Sequence, residues 1–140
     1  MDLKKFLSEK YKRIFVWTLF DFANTSFSVT IVTFVYAVYF RETVSSNQPI
    51  GDFYWSLGTG ISMLIVAIIS PFLGAIADHS TGKKRFLLIF TLICIFSTSA
   101  LFFVKEGEIF IGLFLLILAN IGFEAGLVFY DAFLPEITDE

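Results

Sequence analysis

Four stretches of this chain stay apolar for the length of a bilayer crossing, with only short polar links between them: residues 14–40, 53–77, 86–104 and 109–134. Each is near or above the roughly 20 residues that cross a hydrocarbon core as a helix. Backbone N–H and C=O groups find no water at that depth, so such a stretch satisfies them internally by coiling. The links at 41–52, 78–85 and 105–108 are short enough that consecutive helices must run antiparallel as neighbours. The expected architecture is an all-α membrane protein of four transmembrane helices.

Composition narrows the function classes. Apolar residues make up 56% of the chain and charged ones only 16%, against about a quarter charged in soluble domains. Cys94 and His79 are the sole residues of their kinds, which excludes a disulfide framework, a thiol metal site and multi-histidine metal motifs within these residues. There is no Ser-His-Asp set and no phosphate-binding glycine loop. An enzyme is therefore not expected, and neither is a cofactor. The bases are spent on topology, so no nucleic-acid surface is expected either.

Orientation follows from where those bases fall. Residues 1–13 carry Lys4, Lys5, Lys10, Lys12 and Arg13, and residues 78–85 carry Lys83, Lys84 and Arg85. The other two links hold only Arg41 and Lys105. The bias places the N-terminus and the 78–85 link in the cytoplasm, at a plasma or inner membrane. The first stretch is too long for a cleaved signal and no small-x-small site follows it, so it reads as a retained anchor. Tyr11 and Trp17 fall near the inner interface; Tyr39, Tyr54 and Trp55 fall near the outer one. Gly122 and Gly126 form a small-xxx-small pair in the fourth stretch, and Gly58 and Gly60 thin the second. Pro71 frees the carbonyl of Ala67.

The first stretch also carries a polar stripe. Asp21, Asn24, Thr25 and Ser28 fall at i, i+3, i+4 and i+7, one face of a helix. A carboxylate at membrane depth is costly and belongs against other helices or a wet cavity, which makes Asp21 a candidate for substrate or proton binding. Asn120, Glu124 and Asp131 share roughly one face of the fourth helix, with Tyr130 adjoining. Burial and a neighbouring acid are the two conditions that fit a carboxyl for proton exchange. The alternative is that these acids are neutralised by other helices and serve assembly alone.

The segment GAIADHSTGKKR, residues 74–85, resembles the signature loop of the major facilitator superfamily. That loop has a glycine near the end of the second helix, then an acid, a glycine and consecutive bases. Asp78 to Gly82 is one residue longer than the commonest spacing, and His79 replaces the usual base. Gly74 would allow close helix approach and Gly82 a positive φ at the reversal. Asp78, at a helix C-terminus, would need cationic or donor partners. A plain topological turn is the competing reading of the same residues. Two further runs, WTLFDFANTS at 17–26 and FYDAFLPEI at 129–137, are similar to the vacuole-effluxer-like branch of that superfamily, with Asp131 where Asn is more usual.

The resemblance covers essentially the whole chain. It implies a gradient-driven carrier of two six-helix halves, of which these residues supply the first four helices of the N-terminal bundle. The implied partners are a small-molecule substrate, amino acids among them, the lipid bilayer and the remaining helices of the same transporter. It also implies that the first and fourth helices line a central cavity where Asp21 and Glu124 converge, and that Gly74, Asp78, Gly82, Lys83, Lys84 and Arg85 form a gating loop. Residues 135–140 are acidic and follow the fourth helix, from which a longer parent chain is expected. The alternatives are a complete four-helix exporter working as a dimer around paired Asp21 residues, and a non-transporting membrane scaffold.

Overall fold

The computed structural model describes residues 3–79 and 82–134. Among them there is no strand, only helices joined by turns. The first helical column is continuous but not uniform. An α-helix, α1 (Leu3–Phe27), passes into a π-helical segment (Ser28–Phe34), then α2 (Val35–Tyr39), then a second π turn (Phe40–Val44). The β-branched run from Val29 to Thr33 explains the first change of winding. Its stiff side chains crowd the preceding α turn, and the wider π turn relieves them. Thr33 Oγ1 donates to the Ser28 carbonyl five residues back at 3.0 Å, and the Val35 N–H likewise reaches the Thr30 carbonyl.

The remaining helices are α3 (Pro49–His79), α4 (Lys83–Leu101) and α5 (Ile109–Asp131). Four segments are long and apolar enough to cross a membrane: Ile14–Val44, Pro49–Asp78, Lys83–Leu101 and Ile109–Asp131. We refer to them as the first to fourth spans. Their ends differ from the edges of the apolar runs because helix continues into polar residues. The first passes residue 40 to Val44, and the second begins at Pro49, whose fixed φ suits a first helical position. The third starts three residues before 86, at Lys83. α3 continues through Pro71. The acidic residues of 135–140 lie outside the described residues.

The fourth span is the hub. It packs against both the second and the third and is 44% buried, against 6% for the first. Its glycines permit this to different degrees. A Cβ on Gly122 would lie 2.8 Å from the backbone nitrogen of Cys94 and 2.9 Å from the Phe90 carbonyl oxygen, so α4 and α5 meet backbone to backbone there. At Gly126 the nearest atom would be 3.8 Å away. Gly58 faces the Leu113 side chain, while Gly60 and Gly74 have nothing within 4 Å. The close approach expected at Gly74 is thus not used among the described residues. Gly82 takes φ −100°, open to any residue, so the reversal into α4 does not require its glycine freedom.

The end of the bundle away from the N-terminus is the most tightly closed. Tyr36, Phe40, Val44, Leu101, Val104, Leu113 and Leu116 form the core cluster, with Trp55 against the Tyr36 and Phe40 rings. Tyr39 Oη donates to the Val104 carbonyl at 2.7 Å. The Gly107 N–H donates to the Val44 carbonyl at 2.9 Å, from a backbone at φ +82° that favours glycine. Ser46 Oγ reaches Glu106 Oε1 at 2.9 Å, and Arg41 pairs with Asp52 at 3.5 Å.

Candidate functional site

At the N-terminal end of the bundle the first and fourth spans meet through aromatic rings. Tyr130 stacks on Trp17 with centroids 4.8 Å apart and on Phe20 at 5.0 Å. Its hydroxyl donates to the Trp17 carbonyl at 2.8 Å. Asp21 follows Phe20 by one residue, and its carboxylate lies within electrostatic reach of both the Tyr130 hydroxyl and the Asp131 carboxylate. Asp21 and Asp131, both exposed, thus lie on neighbouring spans near enough to interact electrostatically; the sequence suggested Glu124 as the counterpart of Asp21. Glu124 is half-buried, and no hydrogen bond or ion pair reaches it among the described residues. Tyr130, 3% exposed, acts as a clamp between spans.

The polar stripe of the first span divides among several tasks. Thr25 Oγ1 returns to its own helix, donating to the Asp21 carbonyl at 3.0 Å. The Ser28 carbonyl accepts the Thr33 hydroxyl inside the π segment. Asn24 is half-buried and borders a cavity of about 490 Å³ between the first, third and fourth spans. Asn120 is 2% exposed and points to the second span instead, its Nδ2 donating to Ser62 Oγ at 2.7 Å. Ser62 Oγ passes the chain on to the Thr59 carbonyl at 2.8 Å.

The cavity walls contain residues that the sequence reading passed over. Thr91, Cys94, Thr98 and Ser99 come from the third span, with Ser26 and Thr30 from the first. Thr91, Cys94 and Thr98 fall at i, i+3 and i+7, so a stripe of small polar side chains on one helix face was the available signal. Thr98 Oγ1 is buried and lacks a hydrogen-bond partner among the described residues. Phe20, Phe27 and Phe123 supply apolar wall, and no charged side chain lines the space. Neither Asp21 nor Asp131 belongs to this lining.

In the 78–85 link, Asp78 lies exposed at the end of α3 and has no ion-pair partner among the described residues. Lys83 does engage the bundle. Its Nζ donates to the Ala132 carbonyl at 3.2 Å, a cation at the C-terminus of α5 where the helix dipole favours one. Lys84 and Arg85 are exposed. The His79 side chain and residues 80–81 lie outside the described residues. No group of His, Cys, Asp and Glu suited to a metal ion occurs among the described residues.

Four antiparallel apolar helices packed around a small-residue seam make this an all-α, multi-pass integral membrane protein, the N-terminal part of a major facilitator fold. The family described as "Vacuole effluxer Atg22 like" matches residues 54–140, and the chain belongs to it. The chain is 33% identical over 129 residues to the uncharacterized MFS-type transporter YxiO of Bacillus subtilis, covering 89% of this chain and 30% of that protein. It is 35% identical over 75 residues to Autophagy-related protein 22 of Pyricularia oryzae, and 36% identical over 75 residues to that of Coccidioides immitis. Those matches cover 54% of this chain and 11% and 12% of the relatives. The chain thus spans about a third of the length of the first of these relatives and less of the others. No solved structure matches it.

Proposed function

We propose that these residues form the N-terminal part of a secondary transporter that moves a small solute, with amino acids the leading class, by alternating access coupled to protons. The observation that carries this reading is the contact of Tyr130, beside Asp131 on the fourth span, with Trp17 and Phe20, beside Asp21 on the first. A carboxylate kept within a span, as Asp21 is, is expensive and tends to mark an ion or substrate path. With Asp131 at the end of the fourth span, the two acids on different helices give a site that can exchange a proton when the helices part. Membership of a family described as vacuole effluxers, and similarity to an MFS-type transporter, support the class.

In this reading the N-terminus and the 78–85 link face the cytoplasm, on the strength of the basic bias. Lys83 restrains the end of the fourth span, while Gly74, Asp78, Lys84 and Arg85 remain available to the rest of the transporter. Alternating access requires a second bundle rocking about a shared site near the midplane; the matched relatives extend well beyond these residues. The full-length protein in proteoliposomes tests the proposal. A proton gradient should drive accumulation from a mixture of labelled amino acids, and Asp21→Asn should abolish the gradient-driven part while leaving exchange across the membrane. Gradient-driven uptake that survives Asp21→Asn unchanged would remove Asp21 from coupling.

A further inference from the structure

The first span is held very unequally along its length. Beyond the π segment, Tyr36, Phe40 and Val44 are 5%, 0% and 0% exposed, locked in the core cluster. Before it, Val16, Leu19 and Phe22 are 64%, 55% and 74% exposed among the described residues, where this half meets the fourth span through Trp17, Phe20 and Phe27. Between the two halves lies Ser28–Phe34, wound as π-helix and ending at Phe34 with φ −117° and ψ −74°. Thr30 and Ile31, inside this segment, border open space in the cavity. A fixed half, an irregular joint and room beside the joint are the parts of a rotating element.

The consequence of rewinding is fixed by helix geometry. A π segment accommodates one residue more than the α-helix it interrupts, so the N-terminal half sits one residue out of phase with an α-helix continued from the fixed half. Converting the joint to α winding, with the fixed half held, turns the N-terminal half by about 100° and advances it by about 1.5 Å. Each residue then yields its place to the one after it. We propose that the Ser28–Phe34 segment is a π-to-α switch that replaces Asn24 by Thr25 at the cavity wall. The Thr33 hydroxyl bond to the Ser28 carbonyl, which spans five residues, belongs to the π state. The Tyr130 bond to the Trp17 carbonyl is the latch that must open. This inference stands on the winding of the first span and does not require the transport reading.

Cross-linking in the full-length protein tests it without any transported solute. Cys94 borders the same cavity as Asn24, while Thr25 does not. With other cysteines removed, Asn24→Cys and Thr25→Cys are each treated in membranes with a short bifunctional thiol reagent. Both should cross-link to Cys94, the second more slowly. Deleting Val32 removes the extra residue and makes the span plain α-helix with Asn24 still in place. That variant should keep the Asn24→Cys cross-link and lose the Thr25→Cys one. Thr33→Val, which retains the side-chain shape but not the five-residue hydroxyl bond, should raise the ratio of Thr25→Cys to Asn24→Cys cross-linking about fivefold, the population change one hydrogen bond carries. A Ser46→Cys, Glu106→Cys pair at the closed end should cross-link equally in all variants. The switch is overturned if Thr25→Cys never reaches Cys94, or if its yield is the same with and without Val32. Should the deletion not accumulate, an unchanged ratio in Thr33→Val overturns it.

Discussion

Tyr130 holds Trp17 in two ways at once, with its ring stacked at 4.8 Å and 9° and its hydroxyl donated to the Trp17 carbonyl at 2.8 Å. The fourth span thereby ties down the part of the first that has the least other packing. Tyr130→Phe keeps the stack and loses the bond. It should destabilise the joined spans by about 0.6 kcal/mol, the usual worth of an interhelical hydrogen bond in a membrane. Tyr130→Ala loses both and should cost more, with the stack adding about 0.5–1.5 kcal/mol. Denaturant titration of the full-length protein in mixed micelles, followed by tryptophan fluorescence, reads both steps; equal losses in the two variants would mean that the ring contributes nothing.

Gly122 and Gly126 look equivalent in sequence but not in space. Gly122→Ala puts a methyl against the backbone of Cys94 and Phe90 and should cost about 1–3 kcal/mol, the range for overpacking. Gly126→Ala places its methyl in ordinary contact with Phe90 and Leu87 and should be nearly neutral. Thermal unfolding of the two variants side by side measures the difference, and a neutral Gly122→Ala would show that α4 and α5 are not in backbone contact.

Asn120 and Ser62 should be energetically coupled. The Nδ2 to Oγ bond is buried at 2.7 Å, and a double-mutant cycle with Asn120→Ala and Ser62→Ala should return a coupling of about 0.6 kcal/mol and no more than about 1.7. Because this bond joins the second and fourth spans, the single variants should leave the Trp17–Tyr130 contact untouched, which tryptophan fluorescence in the same samples checks.

Lys83→Gln should loosen the end of the fourth span. The bond from Nζ to the Ala132 carbonyl and the charge at the helix C-terminus are each worth a fraction of a kcal/mol to about 1 kcal/mol. Hydrogen exchange at residues 128–132 should quicken by up to about tenfold, with no change around the core cluster at the other end. Unchanged exchange there would reduce Lys83 to a topological charge.

The four spans could be read in the chain because hydrocarbon leaves a long apolar stretch one option. What could not be read is rotation. Helical spacing put Asp21 and Glu124 on usable faces of their helices, but it carries no information on how two helices are turned toward each other. The acid within electrostatic reach of Asp21 is Asp131, about two turns beyond Glu124. The same limit hid Asn120, whose amide serves Ser62 and not the acids. The π segment had a local trace in the β-branched run 29–33, yet such runs also occur in ordinary helices, so only the fold reveals the change of winding. Gly82 shows the reverse error: a glycine at a reversal suggested a positive φ that the backbone does not use.

The fourth span, described above as the hub, is also the last of the four to be made. The second and third can pack on it as soon as it emerges, but the N-terminal half of the first must wait in the membrane through the synthesis of the 108 residues between Asp21 and Tyr130 before its clamp exists. During that interval its carboxylate has no helical neighbour on the fourth span to face. The far half of the first span can meet the second earlier, through Tyr36, Phe40 and Trp55, so one helix is anchored in two instalments, its later part first.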